Sequence, residues 1–453
     1  MTGNPKHQTH HVAVLAFPFT SHPGSLLDLV LKLAPAAPHV LFSFFTTSKA
    51  NTSLFSKPSS SFHNMKAHDI ADGLPEGFVP SVNPEEAIGL FLKVAPGNFM
   101  RALKDAEAAT GLKVRCLLTD AFFWFAGDMA EEIKVPWVPV WIGGPHSILV
   151  HVETDFIRQR VGTISSTGGE KQALDFLPGF SRYQIPDLPE GVVTGDLDSP
   201  VATMLQKMGQ KLPKAAAVVM NSFDDLAPEI DNVLKSRFKG LLNYGPKSLI
   251  SQSPQLPKDD SGCLEWLDTN KPASVIYIAF GTAVTPPPHE LEALAQALIE
   301  TRFPFIWSFR GNIEDFLPKG YNKSSLNGKI VSYASQVQVL GHASVGVFLT
   351  HAGWHSVLES IAAGVPMICR PIFADNMLNM RTVVAVWGIG TKFEGGVITK
   401  IGMVKALELV LKHKEGKEMR DKIVALKNLA QQAVESNGSS THAFNSLVDI
   451  VTK

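Results

Sequence analysis

Short runs of β-branched and aromatic residues alternate along the chain with longer stretches whose apolar positions recur every three to four residues. In the first half, apolar runs occupy 12–17, 40–47, 114–120 and 135–142, and a long helical pattern fills 85–109. Strands that are hydrophobic throughout and separated by helices are typical of a parallel sheet covered on both faces. The pattern therefore predicts an α/β fold for this half.

The pattern stops over 242–262, a stretch rich in proline, serine and glycine. It restarts with apolar runs such as 274–282 and 345–351 and a helical pattern over 376–386. Two βα series joined by a linker predict two Rossmann-like, doubly wound domains facing each other across a cleft, with ligands beyond the carboxyl ends of the strands. We predict four segments: an N-terminal domain (1–241), a linker (242–262), a C-terminal domain (263–435), and a final helix (436–453) that packs back on the N-terminal domain.

Composition narrows the classes of partner. The 453 residues carry 41 Lys and Arg against 42 Asp and Glu, a formal net charge of −1, so no global field favours nucleic acid or an anionic membrane. No apolar run approaches the ~18 residues that a membrane helix needs. Cys116, Cys263 and Cys369 show no metal-binding spacing. We expect a cytoplasmic, monomeric protein that binds small molecules, with neither nucleic acid nor membrane as partner.

Two strand ends in the first half carry a candidate acid–base pair. His22 follows the first strand, where a loop opens into a helix, and Asp120 ends the strand over 114–120. In a parallel sheet these two ends share one edge, so the carboxylate could accept a hydrogen bond from the imidazole, fix its tautomer and raise its basicity. Asp120 could also cap the helix that follows it, and the two roles are compatible.

A candidate anion site opens a helix in the second half. The strand over 345–350 is followed by the segment His351-Ala352-Gly353-Trp354-His355-Ser356, which begins a helix containing Glu359. A helix N-terminus with small residues, free backbone N–H groups and His and Ser side chains suits a phosphate or diphosphate; the alternative is an ordinary capped helix. The chain has no G-x-S-x-G, Walker A or G-x-G-x-x-G motif, which disfavours a redox dinucleotide enzyme.

These residues lie within a longer motif. The segment from Tyr333 to Asn376, YASQVQVLGHASVGVFLTHAGWHSVLESIAAGVPMICRPIFADN, resembles the signature box of plant family 1 UDP-sugar-dependent glycosyltransferases, which have the GT-B fold. Other segments, HVAVLAFPF, DGLPEGFVP, DAFFWFAGDMA, MNSFDDL, GCLEWLD and FGTAVTPPP, are similar to flavonoid 3-O-glycosyltransferases. The resemblance covers essentially the whole chain. It implies an acceptor-binding N-terminal domain, a UDP-sugar-binding C-terminal domain, and no cofactor or metal ion.

The resemblance also implies a role for each matching position. His22 would be the general base and Asp120 its partner. The UDP-binding positions would be Ser21, Thr282, Tyr333, Ala334, Gln336, His351, Trp354, His355, Ser356 and Glu359. Among them, Tyr333 would stack on uracil and Glu359 would bind the ribose hydroxyls. The sugar would lie against Ile142, Asp375 and Asn376, and the acceptor against Phe17, Glu85, Phe122, His151 and Phe373.

Three departures from the family pattern concern the donor. His355 stands where the family has Asn beside the diphosphate, and it could donate a hydrogen bond that would strengthen on protonation. Ile142 replaces a Thr able to reach the sugar 6-hydroxyl, and Asn376 replaces the final Gln of the box. An aliphatic side chain suits a methyl group better than a hydroxyl, so these positions favour UDP-rhamnose as donor.

The favoured function is thus an inverting transfer of rhamnose from UDP-rhamnose to the 3-hydroxyl of a flavonol. The alternative is a flavonoid 3-O-glucosyltransferase or galactosyltransferase that uses UDP-glucose or UDP-galactose. Another small acceptor, such as a terpenoid or hormone, stays open. From a different class, the departures within the box motivate a non-catalytic UDP-sugar or flavonoid binding protein.

Overall fold

The first half of the chain builds one parallel sheet and its covering helices. A computed structural model describes residues 8–56, 63–79, 84–163, 172–250, 259–281 and 284–453. The first sheet contains β1 (His10–Leu15), β2 (Val40–Thr47), β3 (Met65–Ile70), β4 (Val114–Asp120), β5 (Trp137–Trp141), β6 (Val218–Met220) and β7 (Leu241–Asn243). The strand order is β3-β2-β1-β4-β5-β6-β7, and every pair is parallel. The helices are α1 (His22–Ala36), α2 (Ser48–Leu54), α3 (Glu85–Thr110), α4 (Ala126–Ile133), α5 (Pro145–Val152), α6 (Thr154–Val161), α7 (Pro200–Lys211) and α8 (Pro228–Arg237).

The second half repeats this architecture. Its sheet contains β8 (Val275–Ala279), β9 (Phe305–Ser308), β10 (Gly328–Val331), β11 (Val345–Thr350), β12 (Met367–Cys369) and β13 (Gly390–Lys392). The order is β10-β9-β8-β11-β12-β13, again with parallel pairs. The helices are α9 (Cys263–Asp268), α10 (Pro288–Thr301), α11 (Gln336–Leu340), α12 (Trp354–Ala363), α13 (Asn376–Arg381), α14 (Lys400–Lys412), α15 (Lys414–Ala433) and α16 (Ser439–Thr452).

Strand β1 shows why the first sheet has a core on each face. Ala13 and Leu15 pack into one core with residues of α3, whereas Val12 and Val14 pack into the other with residues of α1. All four side chains are fully buried. Because both faces are covered by helices, the strand reads as a continuous apolar run rather than as an alternating one.

The last helix belongs spatially to the first sheet. Leu447 and Val451 of α16 are buried in the same core as Val12 and Val14 of β1. Strand β7 carries the first sheet to Asn243, two residues into the segment predicted as a linker.

Some element bounds differ from those predicted. Strands β2 and β4 match the predicted runs 40–47 and 114–120. The helix predicted over 376–386 is two pieces, since α13 ends at Arg381 and a π-helical turn follows over Thr382–Val386. In the described part of the chain, no helix is long and apolar enough to cross a membrane.

His146, on α5, predicts a pH dependence of stability. Its ring is buried against Phe180 and Tyr183, with ring centroids 5.7 and 5.3 Å away, and burial lowers its pKa to about 3. The unfolded chain, with an ordinary histidine pKa near ~6.5, therefore takes up a proton as pH falls, while the folded protein does not until about pH 3. The contribution of His146 to the free energy of unfolding is therefore present above pH ~6.5 and is lost as the pH falls from there toward 3. The loss is about 1.4 kcal/mol at pH ~5.5.

The measurement is the unfolding midpoint from pH 8 to 5 for wild type and His146→Leu. Between pH 8 and 5.5 the free energy of unfolding of the variant should fall by about 1.4 kcal/mol less than that of wild type. His442→Gln, which changes an exposed histidine of α16, should follow wild type. Identical slopes for His146→Leu and wild type would contradict the prediction.

Candidate functional site

The first feature of the site is a histidine–aspartate pair at the carboxyl edge of the first sheet. His22 is the first residue of α1 and Asp120 the last of β4, and the parallel pairing of β1 with β4 brings the two ends together. His22 Nδ1 lies 2.7 Å from Asp120 Oδ2, and the two residues are 7% and 1% exposed. This contact leaves Nε2 as the ring nitrogen that faces away from the carboxylate.

The second carboxylate oxygen holds Asp120 in place. Asp120 Oδ1 accepts a hydrogen bond from the backbone N–H of Phe122 at 3.0 Å. This bond caps a turn rather than a helix, because α4 begins only at Ala126. The helix-capping role considered for Asp120 is thus replaced by a turn that fixes the orientation of the carboxylate.

Aromatic side chains surround the imidazole of His22. The rings of Phe17 and Phe122 lie 5.1 and 4.4 Å from it, centroid to centroid, and Trp141 continues the series 5.9 Å from Phe122. His151 of α5 packs against Trp141, and burial lowers the pKa of His151 to about 4, so it is neutral at pH 7. These side chains form an apolar wall suited to a flat ligand.

The second feature is the turn between β11 and α12. Ala352 has a φ of 61° and is fully buried, and Gly353 precedes the first helical residue, Trp354. The His351 imidazole lies close to two glycines, since a Cβ on Gly353 would be 2.4 Å from its Nε2 and one on Gly281 would be 3.0 Å from it. Small residues at this turn are therefore a steric requirement.

Burial leaves His351 with an unused polar atom. Its pKa is lowered to about 4, and its Nδ1 is buried without a hydrogen-bond partner among the described residues. The α12 N-terminus beside it also presents backbone N–H groups that no helical turn satisfies. A buried polar atom next to a positive helix end is a favourable position for an anionic ligand.

The surroundings of His355 keep its imidazole neutral. Burial is the main cause of its strongly lowered pKa, and electrostatic interaction with Lys247 lowers it further. The expected stronger hydrogen bond from a protonated His355 is therefore not what the structure favours.

A hydrogen-bond network joins α11 to α12. Gln336 Nε2 donates to Glu359 Oε2 at 2.8 Å and to Ser356 Oγ at 3.0 Å, and the Tyr277 hydroxyl donates to Gln336 Oε1 at 3.3 Å. Burial raises the pKa of Glu359. Tyr333, just before α11, is 63% exposed, so the face of its ring is accessible for stacking.

The residues predicted to bind the sugar come from both halves of the chain. Ile142 directly follows β5, whereas Asp375 and Asn376 lie at the start of α13. Burial raises the pKa of Asp375. Asn376 is 4% exposed, and its Oδ1 accepts a hydrogen bond from the Phe373 N–H at 3.4 Å. The donor side of the cleft thus combines an aliphatic side chain with a carboxyl and an amide.

All of these groups meet in one cleft of about 1610 Å³ between the carboxyl edges of the two sheets. The predicted site residues that line it are Phe17, Ser21, His22, Glu85, Phe122, Ile142, His151, Tyr333, Ala334, Gln336, His351, Trp354, His355, Ser356, Glu359, Phe373, Asp375 and Asn376. Asp120 lies behind His22, and Thr282 falls outside the described residues. Across the described ranges, no group of three or more His, Cys, Asp and Glu side chains could hold a metal ion.

The side chain of Trp354 contacts the first half of the chain. Its indole Nε1 donates to the backbone carbonyl of Asn221, which follows β6, at 2.9 Å. The ring also abuts Gly144, where a Cβ would lie 2.7 Å from it. The side chain therefore connects the two sheets, and the backbone N–H of Trp354 is the part available to a ligand.

A charged pair that no sequence pattern indicated also lines the cleft. Lys247 Nζ lies 2.6 Å from Asp28 Oδ2 of α1, and the Lys247 backbone N–H donates to Asn221 Oδ1 at 2.8 Å. One lysine in a linker rich in proline and serine carries no motif signal. Arg310, which also lines the cleft, follows β9 closely, so the strand-end rule could have identified it.

The Trp354–Asn221 contact predicts a stability effect. Trp354→Phe removes the indole donor and leaves the buried Asn221 carbonyl without it, which should lower the free energy of unfolding by about 2 kcal/mol. The measurement is a urea unfolding midpoint against Trp266→Phe, which changes a half-buried indole of α9. A loss for Trp354→Phe no larger than for that control would refute the role of the contact.

The sequence is similar to a known family and to named plant proteins. The family model described as UDP-glucoronosyl and UDP-glucosyl transferase matches residues 85–432. A flavonol 3-O-glucosyltransferase of Actinidia chinensis var. chinensis is 51% identical over 443 residues, covering 97% of this chain and 96% of that protein. An anthocyanidin 3-O-galactosyltransferase of the same plant is 49% identical, covering 98% and 97%.

A solved structure supports the same assignment. The crystal structure of a UDP-glucose: anthocyanidin 3-O-glucosyltransferase in complex with UDP matches with a TM-score of 0.90 and 39% identity, covering 99% of both chains. This match confirms the GT-B fold, and the relatives confirm the resemblance to flavonoid 3-O-glycosyltransferases. The chain therefore belongs to the UDP-glucoronosyl and UDP-glucosyl transferase family, where it has close relatives named as plant flavonol and anthocyanidin 3-O-glycosyltransferases.

Proposed function

We propose that the protein transfers glucose or galactose from the corresponding UDP-sugar to the 3-hydroxyl of a flavonoid, with inversion at the anomeric carbon. The observation that carries the proposal is the His22–Asp120 pair, which lies in the same cleft as the α12 N-terminus. Relatives named for glucosyl and galactosyl transfer support this donor class better than the expected UDP-rhamnose.

His22 acts as the general base. Nε2 accepts the proton of the acceptor hydroxyl as its oxygen attacks the anomeric carbon, and Asp120 stabilises the resulting imidazolium by accepting the hydrogen bond from Nδ1–H. The bond between the anomeric carbon and the diphosphate oxygen breaks as the new glycosidic bond forms on the opposite face. An α-linked donor therefore gives a β-glycoside.

The leaving UDP is stabilised at the α12 N-terminus. Negative charge develops on the diphosphate, and the first-turn N–H groups of α12 point toward it together with neutral His351 and His355. Tyr333 stacks on the uracil ring, while the carboxyl of Glu359, held by Gln336, accepts hydrogen bonds from the ribose hydroxyls.

The acceptor lies on the aromatic wall. Phe17, Phe122 and Trp141 offer flat apolar surface beside the base, and a planar polyphenol fills such surface better than a saturated terpenoid skeleton does. The named activities of the relatives support a flavonoid as the acceptor class. A purely binding role would leave the buried His22–Asp120 pair without a use.

Replacing the base tests the mechanism. His22→Ala should lower kcat at least ~100-fold, the contribution of a general base, while the Kd for UDP stays within about twofold of wild type. Asp120→Asn should also lower kcat, because the imidazolium loses its counter-charge. The measurements are product formation by mass spectrometry and UDP binding by calorimetry.

His413→Ala, at an exposed position before α15, is the matched control and should behave as wild type. Turnover of His22→Ala equal to this control would exclude His22 as the base. Absence of any UDP release by wild type with a flavonol would favour the non-catalytic alternative.

The donor assignment is tested with one flavonol and three donors, UDP-glucose, UDP-galactose and UDP-rhamnose, in parallel. We expect the highest kcat/KM with one of the two hexoses that retain a 6-hydroxyl. Ile142→Thr should raise kcat/KM for that donor severalfold, since one hydrogen bond contributes about 1 kcal/mol. Ile142→Val, which has the same shape without the hydroxyl, should not.

Asn376→Gln, which extends the amide by one methylene, should favour the hexose in the same direction. A preference of wild type for UDP-rhamnose would overturn the proposed donor and restore the interpretation of Ile142 as a methyl-binding residue.

A further inference from the structure

A second contact between the two halves of the chain lies away from the cleft. The segment 182–187, which ends in a 3₁₀ turn over Ile185–Asp187, packs against α13 and the π-helical turn Thr382–Val386. Tyr183 and Thr382 are 0% and 2% exposed, so this contact excludes water.

Directional hydrogen bonds define the contact. The Tyr183 hydroxyl lies 2.7 Å from Thr382 Oγ1, which itself donates to the Leu378 carbonyl at 2.9 Å, so Tyr183 is the donor. Arg381 Nε donates to Asp187 Oδ2 at 2.8 Å, and this carboxylate is also held by the backbone N–H of Gln184. The donors and acceptors are therefore paired on both sides.

The contact and the residues expected to bind the donor sugar lie at opposite ends of one short helix. Helix α13 has six residues, about 9 Å of rise, with Asn376 at its start and Arg381 at its end. Asp375 and Asn376 line the cleft. In the first half of the chain, Pro189 and Glu190 follow the contact closely and line the cleft as well.

We propose that Tyr183, Asp187, Arg381 and Thr382 are positioning residues that fix α13 against the acceptor-binding half, so that Asp375 and Asn376 hold the donor sugar in line with the hydroxyl activated by His22. The inference rests on the proposed transfer reaction. None of these four residues lines the cleft. They act because attack at the anomeric carbon requires a geometry defined to within about 1 Å, and the two substrates are held by different halves of the chain.

Weakening this contact should impair sugar transfer but not UDP binding. Helix α13 also meets the turn before α12, through a hydrogen bond from Asn379 Nδ2 to the Ala352 carbonyl at 3.1 Å that the variants below leave in place. Because this bond is retained, weakening the contact should leave UDP affinity close to that of wild type. The sugar, however, would sample orientations in which the acceptor oxygen is misplaced but water can still reach the anomeric carbon. Transfer should therefore fall relative to hydrolysis of the donor.

The experiment uses the full chain and a matched set of variants. Tyr183→Phe removes one hydroxyl and keeps the ring that packs on His146 and Phe180. Thr382→Val removes the other hydroxyl at equal size, whereas Thr382→Ser retains it. Arg237→Met breaks an arginine–carboxylate pair, with Glu153 at 2.7 Å, that lies within the first half of the chain and serves as control.

For each variant, kcat for transfer, the ratio of donor hydrolysis to transfer, the discrimination between UDP-glucose and UDP-galactose, and the Kd for UDP are measured. Tyr183→Phe and Thr382→Val should each lower kcat about tenfold, raise the hydrolysis ratio and weaken discrimination, with Kd unchanged within twofold. Thr382→Ser and Arg237→Met should behave as wild type.

Each other result overturns the inference. If Tyr183→Phe and Thr382→Val keep the wild-type hydrolysis ratio and kcat, the contact does not position the sugar. If kcat falls together with UDP affinity and folded fraction, the contact is only structural. If wild type itself transfers no sugar while it binds UDP, the proposed function fails, and the positioning role fails with it.

Discussion

The site depends on one constraint: the carboxyl edges of the two parallel sheets must face each other in a fixed relative position. Parallel pairing places His22 and Asp120 at one edge and the His351–Trp354 turn at the other. Neither edge alone combines a base with an anion-binding helix end. The bond from the Trp354 indole to the Asn221 carbonyl ties the first residue of α12 to the end of β6, so it couples the two edges directly.

Charge within the cleft is balanced locally. Burial keeps His151 and His351 neutral at pH 7, each with a pKa of about 4, and it lowers the pKa of His355 as well. Helix dipoles and backbone N–H groups therefore provide most of the stabilisation offered to an anion, because they cost no desolvation of a free ion. Lys247 adds a cation whose charge is offset by Asp28 at 2.6 Å. A chain with a net charge of −1 can in this way bind a diphosphate without a strongly basic surface.

The two-sheet fold and much of the site were accessible from sequence for a physical reason. Strands buried on both faces are continuous apolar runs, and the strand-end rule then singled out His22 and Asp120, 98 residues apart, before any contact was known. Contacts such as Trp354–Asn221 and Tyr183–Thr382 carry no such signal, because they join residues 133 and 199 positions apart through unrelated local patterns. For the donor sugar, Ile142 and Asn376 favour UDP-rhamnose whereas the named relatives favour a hexose, since two side chains describe only part of the surface that surrounds the sugar.

The position of α16 has a consequence for how the protein is made. Leu447 and Val451 belong to the core on one face of the first sheet, where α16 packs on β7 and β4, yet they are separated from β1 by more than four hundred residues of sequence. During synthesis, the first sheet leaves the ribosome with α1 on that face but without α16, so the core there is incomplete until the last helix emerges. Nascent chains therefore expose the part of this core that α16 later buries, which makes the first half sensitive to truncation before Leu447.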